Sequence, residues 1–380
     1  MLRKDVKNLS QLFFGHNQNG IFVSMIEQDF IFKKVKLVNG SSSWESPSNI
    51  ALIKYWGKYG VQLPKNPSIS FTLSECKTIT KINFRPKKEK ENINFSFLFD
   101  GSLKPSFNKK IDLFINRILT YIPAIKNHFF EIESYNTFPH SSGIASSASS
   151  MSSLALCFME IEKQINPKIS KDYFMQKASF LARLGSGSAT RSIGGPLVYW
   201  GTNKTYDDSS LFYGTTMNSV APVFKTFQDT ILIIDKNEKK VSSTIGHQLM
   251  KSNPYAENRF IQANENMSKL KYVLLKGDID NFIKIIELEA LSLHAMMMTS
   301  SPSFILLHPN TLAVIKEVYE FRKQTLIPIC FTLDAGANVH LLYPHQFFDK
   351  AQNFIRDKLL KYCVSNKFIN DHVGVGSKKI

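Results

Sequence analysis

Cysteine is scarce in this sequence, and long apolar runs are absent from it. The four cysteines lie far apart, and no pair has the two-residue spacing of a zinc knuckle or a redox motif. Scattered single cysteines are typical of a reducing compartment, so we expect a cytoplasmic protein. No stretch reaches the roughly 18 apolar residues of a membrane span, and no apolar segment near the N-terminus indicates a secretory signal. The sequence therefore predicts neither a disulfide-stapled scaffold nor a membrane partner.

Acidic residues are also scarce. The sequence has 31 Asp and Glu against 47 Lys and Arg, a formal net charge of +16. Such an excess is compatible with a nucleic acid, an anionic membrane face or an acidic substrate as partner. The lysines are scattered, with only short runs such as RPKKEKE, a pattern more typical of a solvated surface. No nucleic-acid-binding motif is visible, so a nucleic-acid-binding protein stays the minor alternative, which would require a clustered basic face and salt-sensitive binding.

Apolar residues make up 43% of the 380 residues, enough for two domains with a core each. Alternating strand patterns and helical patterns are mixed without strict alternation, which favours an α+β fold over a doubly wound sheet. A polar, turn-rich stretch at 200–218 indicates the approach to a domain boundary. The predicted strands are 66–84, 92–100, 226–235, 330–336 and 338–344, and the predicted helices are 109–123, 145–164, 173–184, 254–275, 279–296 and 310–323.

The stretch FPHSSGIASSASS, at 138–150, is unusually rich in small residues. It follows the apolar/polar alternation FFEIESYNTF, which predicts a strand, and it opens a predicted helix. At the start of a helix, unpaired backbone N–H groups and the helix dipole favour an anion such as phosphate. Gly143 permits a close approach of the backbone. The stretch lacks the Gly-Lys-Ser/Thr ending of a Walker A loop. The alternative is that its serines and alanines only cap and pack a helix.

The stretch SPSNIALIKYWGKYG, at 46–60, ends an apolar segment with two lysines around an aromatic pair. Lys54 and Lys58 are point cations that suit an anionic substrate, and Tyr55, Trp56 and Gly57 lie between them. The alternative is the end of a strand with two surface lysines.

The stretch GSGSATRSIGG, at 185–195, places Arg191 after two Gly-Ser units. Arginine offers a planar fork that binds carboxylate or phosphate through two hydrogen bonds. A flexible interdomain linker is the alternative, although the stretch lies between an apolar helix and the apolar strand PLVYW.

Asp334 interrupts the apolar run CFTLDAGANVHLL, at 330–342. A carboxylate among apolar residues costs free energy unless it is paired or used, so Asp334 is a candidate catalytic base. A turn-capping aspartate is the alternative. His294 lies on an apolar helical stripe and is predicted to be a core or interface histidine.

In this order, the motifs resemble those of the mevalonate diphosphate decarboxylases of the GHMP kinase superfamily, over about residues 46–342. The segments KYWGK and SGSxxR are particular to that branch, and the small-residue loop is shared by the superfamily. The resemblance implies two α+β domains with the active site in the cleft between them. It implies an N-terminal extension of unknown role at 1–40, a GHMP kinase-like domain at 41–215 and a C-terminal domain at 216–380.

The resemblance also implies an activity. It is the ATP-dependent conversion of (R)-mevalonate 5-diphosphate to isopentenyl diphosphate, ADP, phosphate and CO₂, with Mg²⁺ bridging the phosphates. A cytoplasmic homodimer with a small-molecule substrate is expected, without a nucleic acid or membrane partner. Asp334 would accept or orient the 3-hydroxyl, Arg191 would hold the substrate carboxylate or fix Asp334, and Lys54 would balance charge. The substrate-binding residues would be Tyr55, Trp56, Gly57, Lys58, Lys77, Ser186, Gly187, Ser188, Ala189, Thr190 and Thr244. The ATP-binding residues would be Ser141, Ser142, Gly143, Ala145, Ser146 and Ser147, with no residues dedicated to the metal.

Two positions depart from the family pattern. Ala337 stands where the family usually has Pro, which predicts a looser turn after Asp334. Lys77 stands where many members have an Arg that helps bind the diphosphate, and a lysine loses bidentate binding. The alternatives left open are a decarboxylase of mevalonate 5-phosphate and a mevalonate 3-kinase. Lys54, Arg191 and Asp334 together argue against the kinase.

Overall fold

The computed structural model describes residues 25–88, 91, 94–139, 144–236 and 243–380. Helices and sheets are mixed along the chain, so the predicted α+β class is confirmed. The helices are α1 (Pro105–Ile118), α2 (Ser146–Ile165), α3 (Lys171–Gly185), α4 (Pro222–Lys225), α5 (Ser243–Leu249), α6 (Ala256–Lys276), α7 (Ile279–Met298), α8 (Pro309–Thr325) and α9 (Phe348–Phe354). The strands are β1 (Gly40–Ile53), β2 (Lys58–Tyr59), β3 (Leu63–Pro64), β4 (Ser68–Pro86), β5 (Phe95–Phe99), β6 (Ser102–Leu103), β7 (His128–Asn136), β8 (Leu197–Trp200), β9 (Thr215–Thr216), β10 (Gln228–Leu232), β11 (Cys330–Leu333), β12 (Val339–Tyr343), β13 (Phe368–His372) and β14 (Lys378–Lys379).

The larger sheet is organised around β4, a strand of 19 residues. β1 runs antiparallel to it along one side, while β8 and β7 pair with its first and second halves on the other side. β5 joins β7 in parallel, and β9 extends β8. Alternating residues of β7 and of the end of β4 are buried because α1, α2 and α3 supply the apolar core that covers them.

The smaller sheet has the order β11–β12–β10–β13, with every pair antiparallel. Its inner strands are buried along their whole length. A second core continues from this sheet through α6 and α7 to β1 and β4, so apolar packing joins the two sheets. The turn after β11 is thereby held near the end of β1.

Asp371 of β13 makes a polar connection between the sheets. Its carboxylate accepts hydrogen bonds from the backbone N–H groups of Ser74, Glu75 and Cys76, at 2.8–2.9 Å, where β4 breaks its pairing with β1. The chain then returns to the larger sheet, because β14 pairs with β1. The domain limits at 40/41 and 215/216 stay a prediction. The pairing of β14 with β1 adds the end of the chain to the larger sheet.

The predicted helices and strands match the observed ones best where the periodic pattern of apolar residues extends over many positions. The first predicted helix, 109–123, begins earlier, because Pro105 occupies the first turn of α1, and it ends at Ile118. β1 begins at Gly40, so the apolar segment before Lys54 is the end of a strand of 14 residues. The strand β13 and the helix α9 were not predicted. Their apolar patterns are too short to indicate a type of structure.

Apolar side chains of the segment 25–38 pack onto the core beside the larger sheet, namely Met25, Phe30, Ile31, Phe32 and Val38. Phe30 is fully buried, and its ring stacks on Phe180 with centroids 4.5 Å apart. This part of the N-terminal segment therefore contributes to the core. Within the described residues, no helix is both long and apolar enough to cross a bilayer.

Candidate active site

A cavity of about 440 Å³ opens between the larger sheet, α1, α2 and the turn after β11. Among the described residues that line it, four side chains are cationic and one is a carboxylate. The cations are Lys54, Lys58, Lys110 and Arg191, and the carboxylate is Asp334. This charge balance suits a ligand with several negative charges.

The serine-rich stretch brings the start of α2 to the cavity. Ala145 precedes the helix with a φ of 42°, a left-handed conformation that turns the chain sharply into the first helical turn. The side chains of Ser146, Ser147 and Ser150 line the cavity. A helix start has backbone N–H groups without intrahelical partners, so this edge can hold a phosphate. Residues Ser141, Ser142 and Gly143 lie outside the described residues.

A neighbouring face of α2 uses its serines for packing. Ser149 Oγ lies 2.6 Å from Thr78 Oγ1, and Ser153 Oγ lies 2.7 Å from Thr80 Oγ1. These hydroxyl pairs let α2 approach β4 closely. The two interpretations of the small residues, phosphate binding and helix packing, therefore apply to different faces of one helix.

Lys54 follows β1 directly and is 2% exposed. Its ammonium donates a hydrogen bond of 2.6 Å to the carbonyl of Ala51. Desolvation lowers the pKa of Lys54 to about 8, while the negative charges of Asp334 and Glu289 oppose the shift. The side chain is therefore still protonated at neutral pH and close to the range in which it loses its proton.

A buried network that sequence analysis missed holds the Lys54 backbone. The Lys54 N–H donates to Glu289 of α7 at 2.9 Å. The same carboxylate accepts two hydrogen bonds from Arg259 and one, of 2.7 Å, from Asn266. Glu289 lies on the same helical stripe as the buried Phe282, and a carboxylate on an apolar stripe is the signal that could have found it.

Tyr55, Trp56 and Gly57 surround His247 of α5. The Gly57 N–H donates to His247 Nδ1 at 2.9 Å, and the rings of Tyr55 and Trp56 lie 4.3 and 4.8 Å from the imidazole. Because Nδ1 accepts a hydrogen bond, Nε2 carries the proton of the neutral ring. Burial, reinforced by the charge of Lys58, lowers the pKa of His247 to about 3. His247 lines the cavity and was not predicted.

Arg191 lies in a 3₁₀ turn, Gly187–Ser192, and is 2% exposed. Its Nε and Nη1 donate to Ser70 Oγ and Ser68 Oγ of β4, at 2.6 and 2.5 Å. Burial lowers its pKa to about 10, opposed by Tyr55 and Asp334, so the guanidinium stays charged at neutral pH. Within the described part of the chain, Nη2 makes no hydrogen bond and is available to a ligand in the cavity.

The loop before Arg191 approaches Tyr55 and the start of α2. A Cβ on Gly187 would lie 2.6 Å from Tyr55 Oη, so a glycine is needed there. Ser186 Oγ lies 3.3 Å from both Ser147 Oγ and Ser188 Oγ. This row of hydroxyls connects the helix start with the Arg191 turn along the cavity wall.

Asp334 follows β11 and lines the cavity. Its backbone carbonyl accepts hydrogen bonds from the N–H of Gly336, at 2.7 Å, and from His294 Nε2, at 3.1 Å. His294 is buried, as predicted, and it supports the turn. Thr311 Oγ1 donates to the Ala337 carbonyl at 2.6 Å. The turn is therefore held by side chains from α7 and α8, although it lacks the family's proline.

Lys77 does not reach the cavity lining. Its ammonium forms an ion pair with Glu45 at 3.4 Å, and its backbone N–H donates to Thr137 Oγ1. The side chain lies on the part of β4 that pairs with β1 at Pro47. Lys77 is therefore separated from the predicted substrate-binding residues.

Three other predicted residues are also absent from the lining. Ala189 and Thr190 are fully buried, and Thr190 bonds to Ser179 Oγ through its hydroxyl and its carbonyl. Gly57 contributes through its backbone, as described for His247. The side chain of Thr244 lies outside the described part of the chain, so its predicted contact stays a prediction.

One wall of the cavity is apolar, which sequence analysis did not anticipate. It lies between β5, β7, α1 and α2, beyond the serine-lined helix start. Aromatic and aliphatic side chains of this kind accept a flat organic ring rather than a phosphate. The wall is formed by Phe97, Phe99, Phe107, Ile132 and Leu154.

Comparisons with known proteins find similarity to one family along most of the chain. The sequence profile of the Diphosphomevalonate decarboxylase-like N-terminal domain matches residues 46–212, and that of the Mevalonate 5-diphosphate decarboxylase C-terminal domain matches residues 230–375. Diphosphomevalonate decarboxylase of Candida albicans is 28% identical over 331 residues, which cover 83% of this chain and 87% of the relative. Mevalonate diphosphate decarboxylase from Staphylococcus aureus is 30% identical, with a TM-score of 0.78 and coverage of 90% and 98%. A complex of MDDEF with MVAPP, AMPPCP and magnesium is 26% identical, with a TM-score of 0.77 and coverage of 90% and 99%.

Proposed function

The chain belongs to the diphosphomevalonate decarboxylase family, and we propose that its cavity catalyses the ATP-dependent decarboxylation of (R)-mevalonate 5-diphosphate. The products are isopentenyl diphosphate, ADP, phosphate and CO₂. The observation that carries the proposal is the convergence of Lys54, Arg191 and Asp334 on one cavity that also contains a helix start.

The chemistry of the substrate explains why these groups are needed together. A tertiary hydroxyl is a poor leaving group, and phosphorylation converts it into a good one. Its departure leaves positive charge at C3, and the electrons of the breaking bond to the carboxylate then form the alkene. The site must therefore activate a hydroxyl, hold a carboxylate and accommodate several phosphates.

Asp334 accepts or orients the proton of the 3-hydroxyl as that oxygen attacks the terminal phosphate of ATP. The hydrogen bonds from Gly336 and His294 to its backbone hold the side chain at the end of β11. Lys54 places a buried positive charge beside Asp334 and balances the negative charge that gathers at the reacting centre.

Arg191 holds the substrate carboxylate through Nη2, the nitrogen that its serine partners leave available. Holding the carboxylate beside the reacting carbon keeps the bond that breaks in one orientation. Tyr55, Lys58 and the hydroxyls of Ser186 and Ser188 bind the remainder of the substrate.

ATP is the co-substrate, and its phosphates lie at the start of α2 against Ser146, Ser147 and Ser150. The apolar wall beyond the helix start receives the adenine. Within the described residues, no group of three or more His, Cys, Asp or Glu side chains is placed to hold a metal ion. Hydroxyls and a single carboxylate fit Mg²⁺ held mainly by phosphate oxygens and water, and the bound ion neutralises phosphate charge.

The experiment that tests this proposal measures the release of CO₂ and the formation of ADP separately. Purified protein is incubated with MgATP and 1-¹⁴C-labelled mevalonate 5-diphosphate or 5-phosphate, and released CO₂ is counted against ADP formed. Equal amounts of CO₂ and ADP with the diphosphate support the proposal. ADP without CO₂ indicates a 3-kinase and overturns the roles of Arg191 and Lys54, and a preference for the monophosphate overturns the substrate assignment.

We also propose a homodimer in the cytoplasm. Four free, buried cysteines support a reducing compartment. Light scattering on the purified protein tests the dimer, and a monomer at all concentrations would contradict it.

A further inference from the structure

The segment 374–377 crosses from the smaller sheet to the larger one, beside the turn that carries Arg191. It follows β13, and β14 comes directly after it and pairs with β1. The Gly374 N–H donates to the carbonyl of Thr72, in β4, at 2.7 Å, and the Gly374 carbonyl accepts from the Thr72 hydroxyl at 3.2 Å. Strands of the larger sheet therefore hold the segment on both sides of the place where it meets the Arg191 turn.

Two hydrogen bonds join the segment to the residues that follow Arg191. The Ser377 N–H donates to the Ile193 carbonyl at 3.0 Å, and Ser377 Oγ donates to the Ser192 carbonyl at 2.8 Å. Ser46 Oγ of β1 lies 2.8 Å from Ser377 Oγ, so β1 fixes the hydroxyl that holds the turn. Both acceptor carbonyls lie within two positions of Arg191, and their place decides where its backbone lies.

Backbone packing reinforces these hydrogen bonds. Gly376 has a φ of 97°, a left-handed conformation that favours glycine. A Cβ on Gly376 would lie 2.7 Å from the carbonyl carbon of Gly194, and a Cβ on Gly195 would lie 2.5 Å from the Gly376 nitrogen. Since the two backbones touch directly, a side chain at either place would push the segment away from the turn.

One face of β4 holds both the Arg191 side chain and the segment. Ser68 and Ser70 accept the hydrogen bonds of Nη1 and Nε, and Thr72, the next residue on that face, binds Gly374. The guanidinium is planar, so two fixed nitrogens and a fixed backbone also fix the direction of Nη2. The contacts of the segment 374–377 are therefore part of what aims Nη2 into the cavity.

We propose that the segment 374–377 is a positioning strap for Arg191, with Gly376 and Ser377 as the positioning residues, and that it commits the phosphorylated intermediate to decarboxylation. This inference rests on the proposed function. After phosphoryl transfer, the bond from C3 to oxygen breaks and its electron pair leaves with phosphate. The bond from C2 to the carboxylate carbon then breaks, and its electron pair forms the alkene between C2 and C3 as CO₂ departs. A carboxylate that Nη2 no longer aligns lets the intermediate leave the site, so ADP forms in excess of CO₂.

The test measures CO₂ and ADP from 1-¹⁴C-labelled mevalonate 5-diphosphate and saturating MgATP in strap variants. Gly376→Ala is expected to lower the ratio of CO₂ to ADP to about one half or less, and to lower kcat/KM for the substrate about 10-fold. Ser377→Ala removes one hydrogen bond, so its kcat/KM should fall about 3- to 10-fold, with the same excess of ADP. The KM for ATP should stay within about 2-fold in both, because the phosphates of ATP bind at the start of α2.

Gly101→Ala is the matched control. Gly101 also has a left-handed backbone, with a φ of 72°, but among the described residues no atom lies within 4 Å of the place of its Cβ. It therefore carries the backbone cost of Gly376→Ala without the collision, and its CO₂ and ADP should stay equal. Ser377→Thr keeps the hydroxyl and should restore the equal amounts that Ser377→Ala loses.

A merely structural role of the strap would lower CO₂ and ADP together. Equal amounts of the two products in Gly376→Ala and Ser377→Ala would therefore overturn the proposal, and so would the same excess of ADP in Gly101→Ala. If Gly376→Ala does not fold, the comparison of Ser377→Ala with Ser377→Thr decides between the two outcomes.

Backbone hydrogen exchange separates this inference from the proposed function, because it needs no substrate. If the unmodified protein releases no CO₂, the proposed function fails. Mass spectrometry of residues 187–193 should still show exchange about 10-fold faster in Gly376→Ala than in Gly101→Ala and the unmodified protein, since the turn opens more often without the strap. Unchanged exchange there would show that the strap does not hold the Arg191 turn, and would overturn the proposal.

Discussion

The backbone N–H of Lys54 donates a hydrogen bond to the carboxylate of Glu289, 2.9 Å away. Lys54 follows β1 of the larger sheet, whereas Glu289 belongs to α7, which packs beneath the smaller sheet. Because Arg259 is bound to the same carboxylate, one buried ion pair connects the candidate catalytic lysine with the second half of the molecule. The position of Lys54 therefore depends on residues more than 200 positions away.

Glu289→Gln is expected to destabilise the protein by about 3 to 5 kcal/mol, because it leaves the buried Arg259 guanidinium without its counter-charge. Chemical denaturation measures the free energy of unfolding. Glu287→Gln is the matched control on the same helix, since its partner Arg322 is partly exposed and the loss should be smaller. A smaller loss for Glu289→Gln than for Glu287→Gln would contradict the prediction.

We expect catalysis to decline at high pH, a basic limb of the pH profile, because Lys54 loses its proton there. Its pKa is lowered to about 8, so in the free protein the ammonium is lost as pH rises through 8. We expect kcat/KM to fall above about pH 8, while kcat falls at a higher pH because bound phosphates favour the charged form. Any activity that Lys54→Arg retains should lack this limb, since arginine stays protonated. A profile for the unmodified protein that stays flat to about pH 9.5 would show that the charge of Lys54 is not needed.

His247 predicts a loss of stability in mild acid. Its pKa in the folded state, about 3, lies below the ordinary value of 6.5. Below pH 6.5 the unfolded chain binds a proton at this residue that the folded chain does not, so stability falls with pH. Between pH 7.5 and pH 5 the contribution is about 2 kcal/mol.

His247→Asn keeps an acceptor for the Gly57 N–H and removes the titrating group. Its free energy of unfolding should fall by about 2 kcal/mol less than that of the unmodified protein over this pH range. His345→Asn, at an exposed position, is the control and should follow the unmodified protein. If the free energy of unfolding of all three proteins changes in parallel with pH, the folded and unfolded chains take up a proton at His247 over the same pH range, which would contradict the prediction.

Asp334→Asn is expected to reduce turnover by about 10³-fold, since the amide neither accepts the hydroxyl proton nor carries charge. Nucleotide affinity should stay within about 3-fold, because the phosphates bind at the start of α2. Steady-state kinetics and nucleotide titration measure the two effects, with Asp349→Asn on the exposed surface as control. Turnover close to normal in Asp334→Asn would remove this residue from the proposed role.

The sequence by itself determined the chemical types at the site. The pattern of apolar residues and the position of turn residues can be read from neighbours a few positions apart in the chain. The sequence therefore predicted five helices close to their observed limits, namely α2, α3, α6, α7 and α8. The same locality preserves short motifs, which is why Lys54, Tyr55, Lys58, Arg191 and Asp334 were identified before any fold was known. All five line the observed cavity.

Only the tertiary structure decided which distant residues join them. Lys77 faces Glu45 because it lies where β4 pairs with β1, while Lys110 lies on the part of α1 that borders the cavity. His247 and Glu289 gained their positions from helices that pack against the end of β1. Such neighbours depend on the packing of whole elements, and the identity of nearby residues in the chain carries no direct record of it.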